Sequence, residues 1–509
     1  MAYLNRPVDI ELGCVMSKRF NLWMLILAAV LVSRFIGMVL LPLSDTTEPR
    51  YAEIARLMAE TGDWITPWFE PGVPFWGKPP LSFWAQAGAI NIFGVSEFSL
   101  RFPSWLATIA MIGLIWRLAR QLWNLQVAQW SSLVFATMAL TYISSGAVMT
   151  DAFLALGTTL SLVSFCLVMS GKSGLWRWLF FLGLAIGFLS KGPLAIVLVG
   201  IPIVLWLSLW REAITNLRRL PWLRGILMTA LLVCPWYLLA ELKTPGFLDY
   251  FIVGEHIRRF LDPGWAGDLY GNAHDQPKGM IWVFWLWASF PWGIVALVCL
   301  VLTWFRGTRK GVVHKITSNA GVSFLLISAL APMLFFTLAG NTLWTYILPS
   351  LPFTAILIGR WVSRWESLYL CRMRGGIVAL VPVLLTVFVS LTAAGWAPLK
   401  TEKELVNYYQ LIKEADDSPL IYLNDLPFSA RFYSGGNALE VTQNDLKILS
   451  SANRFKSLYV AIPRDWSEDK VANLSSSALK IMENKRYQLL VIEGLIHNKQ
   501  PVSNANGVR

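Results

Sequence analysis

The sequence predicts an α-helical polytopic membrane protein of about 11–13 transmembrane helices that ends in a small extracytoplasmic α/β domain. Three observations predict it: a hydrophobic excess too large for a soluble core, basic residues gathered in every second connection, and a sharp fall in hydropathy near Pro398. Of 509 residues, 55% are hydrophobic and 15% charged, with a mean hydropathy of +0.52. Soluble domains carry roughly 25% charge, so something other than water must solvate much of this chain.

Apolar runs occupy residues 22–41, 152–169, 194–209, 226–239, 281–302, 322–338, 346–358 and 377–394. About 20 such residues cross the hydrocarbon layer as helix, and these runs lack the alternation of membrane β-strands. Residues 81–93 are apolar but short and follow Pro79-Pro80, which suits a helix lying along the membrane surface. Residues 122–143 admit more than one reading. The first run is long and has no small-residue cleavage site, which suits an uncleaved anchor.

The net charge of +12 is a matter of topology. Arg6, Lys18 and Arg19 precede the first span; Arg117, Arg120, Lys172 and Arg177 come next. Arg211, Arg218, Arg219 and Arg224 follow, then Arg306, Arg309, Lys310 and Lys315, then Arg360, Arg364, Arg372 and Arg374. By the positive-inside rule these connections face the cytoplasm, as does the N-terminus. Residues 44–102, 147–151, 190–193, 242–279, 340–345 and everything after about 396 then face out. No nucleic-acid partner is needed to explain the charge. Cys14, Cys166, Cys234, Cys299 and Cys371 avoid the outward segments, so no disulfide framework is implied.

Residues 1–397 therefore read as a transmembrane domain with long outward loops at 44–102 and 242–279, and residues 398–509 as the α/β domain. In the latter, 420–423, 457–462 and 488–493 read as strands, and the polar stretches 402–415 and 470–485 as helices. The last ten residues read as a disordered tail.

The two long outward loops hold the residues suited to chemistry. The first opens with Asp45-Thr46-Thr47-Glu48-Pro49-Arg50-Tyr51-Ala52-Glu53. Asp45 and Glu48 suit deprotonating or orienting a hydroxyl, and Arg50 suits a bidentate grip on phosphate; a helix cap with a surface ion pair reads equally from the spacing. Lys78, between Phe75-Trp76-Gly77 and Pro79-Pro80, stands where a lysine meets a lipid phosphate or simply snorkels. In Glu255-His256-Ile257-Arg258-Arg259, arginines run against the positive-inside bias and, with His256, suit a phosphate leaving group; an ion pair with Glu255 is the plainer reading. His256 and His274 make no zinc spacing. Asp151 and Lys191, at outward ends of spans, suit function, a cap or snorkelling.

Taken in order, these motifs resemble one family. Glu48-Pro49-Arg50-Tyr51-Ala52-Glu53-Ile54-Ala55-Arg56, Gly62-Asp63-Trp64-Ile65-Thr66-Pro67 and Lys78-Pro79-Pro80-Leu81 are similar to the first loop of certain membrane glycosyltransferases of the GT-C architecture. These are the relatives of bacterial lipid A aminoarabinose transferases and protein O-mannosyltransferases. Glu97-Phe98 with Arg101, Thr150-Asp151, Lys191-Gly192-Pro193 and Thr345-Tyr346-Ile347-Leu348-Pro349 continue the match over most of residues 20–360.

The resemblance implies a GT-C transferase in the bacterial inner membrane. It would take a sugar from an undecaprenyl-phosphate-linked donor and pass it to lipid A at the periplasmic face. Another envelope glycan or a protein is the alternative acceptor; a lipid-linked sugar transporter is the rival of another class. With the resemblance and the residue readings together, Asp45, Glu48 and Asp151 would be catalytic, and Arg50, Tyr51, Lys78, Lys191, His256, Arg258, Arg259 and Tyr346 would bind substrate.

Three departures stand out. Thr47-Glu48 replaces an Asp-Glu pair, leaving either Asp45 or Glu48 as the key carboxylate. Phe75-Trp76-Gly77-Lys78 replaces Tyr-Phe-Glu-Lys, and Asn341-Thr342 stands where a lysine is common. No cofactor is assigned; a divalent metal stays open, weakened by the missing glutamate.

Overall fold

The computed structural model describes residues 8–493 except 173, 263–264, 268, 271–275, 306–317, 366–367, 398, 414–417, 452–456, 473 and 475–477. Arg6, His274, Arg306, Arg309, Lys310, Lys315, Pro398 and the expected tail lie outside the described residues. The chain divides into two compact units. One comprises Met1–Leu41 and Ile54–Pro398, the other Pro42–Glu53 and Leu399–Arg509.

The first unit is helical. In chain order it holds α1 (Val8–Leu40), most of α2 (Thr47–Thr61), a hairpin of β1 (Trp68–Glu70) and β2 (Val73–Pro74), α3 (Leu81–Phe93) and α4 (Glu97–Leu122). Then come α5 (Leu125–Thr137), α6 (Ala139–Ser144), α7 (Asp151–Met169), α8 (Trp176–Lys191), α9 (Leu194–Leu209) and α10 (Trp222–Lys243). After a π-wound turn at Asp249–Arg258 follow α11 (Arg259–Leu261), α12 (Met280–Ala288) and α13 (Trp292–Phe305). Helices Ala320–Phe336, Leu351–Val362 and Leu368–Ala393 complete it.

Among the described residues, five helices are long and apolar enough to cross a membrane, or six if the bent α12–α13 pair counts as one. That is fewer than the span count expected from hydropathy, because glycine and proline cut the apolar sequence into shorter helices. Residues 281–302 are not one straight helix: the chain turns by 114° between α12 and α13, at Pro291. Residues 346–358 start as a 3-10 turn, Trp344–Ser350, before becoming helix. Residues 122–143 resolve into α5 and α6, parted where Met138 is extended. The short α3 buries Phe83, Gln86, Ala87 and Ile90.

Helix α7 is the axis of this unit. Its apolar window is 89% buried, against 28% for α1 and α10 and 11% for Arg372–Ala393, whose apolar faces remain for lipid. Van der Waals packing drives helix association in lipid, so small residues sit where backbones meet. A Cβ on Gly157 of α7 would lie 2.5 Å from the Gly187 nitrogen and 2.7 Å from the Gly183 oxygen of α8. Beside this contact Ser161 Oγ donates to Phe180 O at 2.9 Å.

The second unit carries a five-stranded sheet in the order β4 (Leu439–Val441), β3 (Leu420–Leu423), β5 (Ser457–Pro463), β7 (Tyr487–Glu493), β6 (Ala478–Glu483). β4, β3 and β5 are parallel, and β7 runs antiparallel to β5 and β6. Helices Phe428–Tyr433 and Gln443–Ser451 make the parallel crossovers. Leu420 and Tyr422 pack on Leu405, Val406 and Tyr409 of helix Lys403–Ile412, while Ile421 and Leu423 face Leu446 on the other side. Cover on both faces explains why these strands read as unbroken apolar runs. The expected helix over 470–485 is overturned: Glu468–Ala472 is helical, but Ala478–Glu483 is β6. As an edge strand it exposes Leu479 and Lys480 and carries charge at Lys480 and Glu483, a composition that resembles a polar helix.

The α7–α8 contact predicts that Gly157→Val costs about 2–3 kcal/mol through overpacking. Gly88→Ala, whose Cβ meets nothing within 4 Å, should be neutral. Melting temperatures of the detergent-solubilised full chain check both; equal melting for Gly157→Val and wild type would remove the close-packing claim.

Candidate active site

The β1–β2 hairpin delivers Phe75-Trp76-Gly77-Lys78 to the start of α3. Phe75 is buried with its ring 4.6 Å from that of Tyr270. The Tyr270 hydroxyl donates to Pro74 O at 2.8 Å and accepts from Trp76 N at 3.0 Å. A Cβ at Gly77 would lie 2.8 Å from the Phe75 ring, so a larger side chain would displace that ring. Lys78 Nζ, donated to Gly77 O, also reaches Glu255 Oε2 at 3.3 Å.

Glu255 sits between two cations. Arg259 Nη1 donates to Glu255 Oε1 at 3.0 Å, one helical turn along the second long loop. Burial raises the Glu255 carboxyl, but Lys78 and Arg259 outweigh it and hold it below its ordinary value. Removing either partner would strand a buried charge.

The same loop packs on the end of α8. Gly192 has φ +63 and brings its backbone close enough that a Cβ would meet Phe251 at 2.7 Å and His256 at 3.2 Å. That approach lets His256 Nε2 meet Lys191 O at 2.9 Å and Nδ1 meet Phe251 O at 2.7 Å. Burial pushes His256 below its ordinary value, although both carbonyls favour the charged ring. Lys191, in the last turn of α8, donates to Asp151 Oδ1 at 2.7 Å and lies 4.7 Å from the centre of the Tyr346 ring. Asp151 in the first turn of α7 and Lys191 in the last of α8 also suit their helix dipoles.

Lys78, Lys191, Glu255, His256, Arg259 and Tyr346 line one cavity of about 290 Å³. Five of these were singled out from sequence as substrate-binding candidates, and the cavity brings them together. Three cations face Glu255 and, behind Lys191, Asp151, so the site has positive charge to spare for an anion. Arg258 is exposed and does not line the cavity. The ion pair with Glu255, the plainer sequence reading, is formed by Arg259, and Glu255 is the organising group.

Asp45, Glu48, Arg50 and Tyr51 belong to the second unit. There Asp45 is tied down on every side. Its Oδ1 accepts from Ser429 N at 2.8 Å; its Oδ2 accepts from Ser429 Oγ at 2.7 Å and Arg486 Nη1 at 2.6 Å. Its side chain is 4% exposed, so a catalytic reading of Asp45 yields to a structural one. Glu48 lies in the first turn of α2, half-buried, and accepts from Ser44 N at 3.4 Å. The Arg50 guanidinium lies over the rings of Tyr51 and Phe428, and Tyr51 is buried. Ser429, Glu402 and Arg486 were invisible from sequence, lying hundreds of residues from Asp45.

Other signature residues brace the first unit. Asp63 accepts from Ile65 N, Thr66 N, Trp68 Nε1 and Lys243 Nζ; Arg101 donates to Met38 O and Leu41 O at the end of α1. Among the described residues no three His, Cys, Asp or Glu side chains converge on a metal position. Glu255, already shared by two cations, does not fit a metal ligand.

With this geometry in place, the chain was compared with known proteins. The family model described as dolichyl-phosphate-mannose-protein mannosyltransferase matches residues 22–251. An undecaprenyl phosphate-alpha-4-amino-4-deoxy-L-arabinose arabinosyl transferase of Pseudomonas fluorescens is 30% identical over 395 residues, 74% of this chain and 64% of that protein. Its counterpart in Pseudomonas aeruginosa strain UCBPP-PA14 is 33% identical over 68% of this chain and 60% of its own length. The chain thus spans less than two thirds of these curated relatives. The crystal structure of ArnT from Cupriavidus metallidurans bound to undecaprenyl phosphate superimposes with a TM-score of 0.74 at 18% identity, over 92% of this chain and 97% of that one. The fold is therefore the same.

One buried carboxyl of the second unit yields a test. Glu402 is fully buried; Asn484 donates to it at 2.7 Å, and Arg486 lies 3.3 Å away, shared with Asp45. Burial raises its pKa to about 7, with Asn484 and Arg486 opposing and Asp45 assisting. A carboxyl raised from 4.5 holds its proton more tightly folded than unfolded. It stabilises the fold fully below about 4.5, and that contribution, on the order of 2–4 kcal/mol, is lost as pH rises to about 7. Between those limits the wild-type melting temperature should fall relative to Glu402→Gln in the purified full chain; parallel curves would show that Glu402 does not titrate there.

Proposed function

We propose, starting from a chain that is a relative of the undecaprenyl-phosphate aminoarabinose transferases and carries their GT-C fold, that it transfers a sugar from an undecaprenyl-phosphate carrier to lipid A. The reaction takes place at the outer face of the inner membrane. One observation carries the reading: Lys78, Lys191 and Arg259 converge on a single cavity and outnumber the carboxylates there. Such a site suits a lipid-linked phosphate. The relatives' names specify an undecaprenyl phosphate donor, and the Cupriavidus protein was solved with undecaprenyl phosphate bound.

Topology supports the same face. The basic connections face the cytoplasm by the positive-inside rule. Lys78, Asp151, Lys191, Glu255 and Arg259 fall in the opposite set, as does the α/β unit. Nucleotide-activated sugars are on the other side of the membrane, so the donor must be lipid-linked.

In the reaction an acceptor oxygen attacks the anomeric carbon, forming a new C–O bond while the bond from that carbon to the phosphate oxygen breaks. The electron pair leaves with undecaprenyl phosphate. Lys78 and Arg259 neutralise the charge that develops there, and Glu255 holds both in place before it appears. Lys191, anchored by Asp151 and stacked on Tyr346, closes the far wall. A lipid A phosphate is already anionic and needs no base; a hydroxyl acceptor on another envelope glycan or a protein would have to give up a proton as it attacks. No step runs through a metal.

Removing a preorganised group that meets developing charge typically costs about 10²–10³-fold. Lys78→Ala should therefore lose about 100-fold or more in transfer from a labelled undecaprenyl-phosphate sugar in proteoliposomes, at unchanged expression. Arg258→Ala, outside the cavity, should keep wild-type turnover. Full activity in Lys78→Ala would end the phosphate role of this cavity.

A further inference from the structure

Asn341 also lines the cavity, beside Lys191, His256 and Tyr346. It is 6% exposed, and neither its Oδ1 nor its Nδ2 has a hydrogen-bond partner among the described residues. The segment that carries it is fixed from the preceding residue, where Gly340 N donates to Phe260 O at 3.1 Å, adjacent to Arg259. A buried amide with both halves unpaired is costly unless something supplies an acceptor and a donor together. Hydroxyl groups do both.

The charges point the same way. Glu255 is the only acidic residue lining the cavity among the described residues, and its two oxygens already face Arg259 and Lys78. Asp151, behind Lys191, is paired with it at 2.7 Å. A sugar with a protonated amine would bring a fourth cation to Lys78, Lys191 and Arg259 and, among the described residues, find no carboxylate of its own. A neutral sugar meets no such repulsion.

We infer that the donor sugar is a neutral, hydroxyl-bearing sugar, not an amino sugar, and that Asn341 is the specificity-determining residue that hydrogen-bonds it. This rests on the transferase reading above and departs from the sugar in the relatives' names. The amide selects by leaving itself unpaired when the matching hydroxyls are missing, which discriminates more sharply than apolar contact.

The test is competition binding to the full-length protein in nanodiscs. Its three probes are undecaprenyl phosphate, the same lipid carrying a neutral hexose, and the same lipid carrying 4-amino-4-deoxy-L-arabinose. The hexose lipid should bind at least about 10-fold more tightly than the amino lipid. Asn341→Ala should shrink that margin to about threefold or less and leave bare undecaprenyl phosphate unchanged. Asn341→Asp, which adds an acid, should turn the preference toward the amino lipid. Tighter wild-type binding of the amino lipid, or an unchanged margin in Asn341→Ala, overturns the inference while the phosphate site stands. If bare undecaprenyl phosphate fails to bind, or Lys78→Ala binds all three as wild type does, the donor-site reading itself fails and the inference goes with it.

Discussion

Everything about the cavity follows from holding Glu255 between Lys78 and Arg259 away from water. A lysine and an arginine side by side repel, and burying them without a counter-charge costs several kcal/mol each. One carboxylate shared between them makes the arrangement affordable and points both cations the same way. It also joins the two long loops, since Lys78 comes from the first and Glu255 and Arg259 from the second. The Asp151–Lys191 pair repeats the device between α7 and α8, on the rigid axis of the unit. Loops supply the charges, and the helices set where those charges stand.

The second unit applies the same rule to a different end. Arg486 serves two acids, Asp45 at 2.6 Å and Glu402 at 3.3 Å, and one cation between two carboxylates leaves Glu402 partly uncompensated. Burial raises its pKa, and Asp45 adds to that rise. Pro42–Glu53 is thereby bound into the α/β unit, with Asp45 as the anchor. Asp45 and Glu48 look equivalent by residue type, but one is locked by Ser429 and Arg486 while the other lies in the first turn of α2.

Much of this was legible in the sequence, and the gaps have physical causes. Hydropathy located the apolar runs and the soluble end, because the bilayer and water impose different compositions. It averages over Pro291 and the 3-10 turn at Trp344–Ser350, so a single apolar run there holds more than one element. β3 and β5 were found since they are buried on both faces; β6 was mistaken for helix since an edge strand carries polar residues wherever it meets water. Lys78, Lys191, His256, Arg259 and Tyr346 were singled out from motif and position, and one cavity brings them together. Which of the adjacent Arg258 and Arg259 lines that cavity depends on helical phase, which the sequence alone does not show. The Asp45–Arg486 contact joins residues 441 apart, and no local pattern encodes it. Gly77 and Asn341 registered only as departures from relatives; one is required by the Phe75 ring, the other is an amide in the cavity wall.

The most direct measurement is mass spectrometry of lipid A from cells with the gene, without it, and complemented with the wild-type or the Lys78→Ala chain. The predicted result is a population heavier by one sugar that disappears on deletion, returns with the wild-type chain and stays absent with Lys78→Ala. Identical spectra in all four strains, under growth where undecaprenyl-linked sugars are made, would contradict transfer to lipid A.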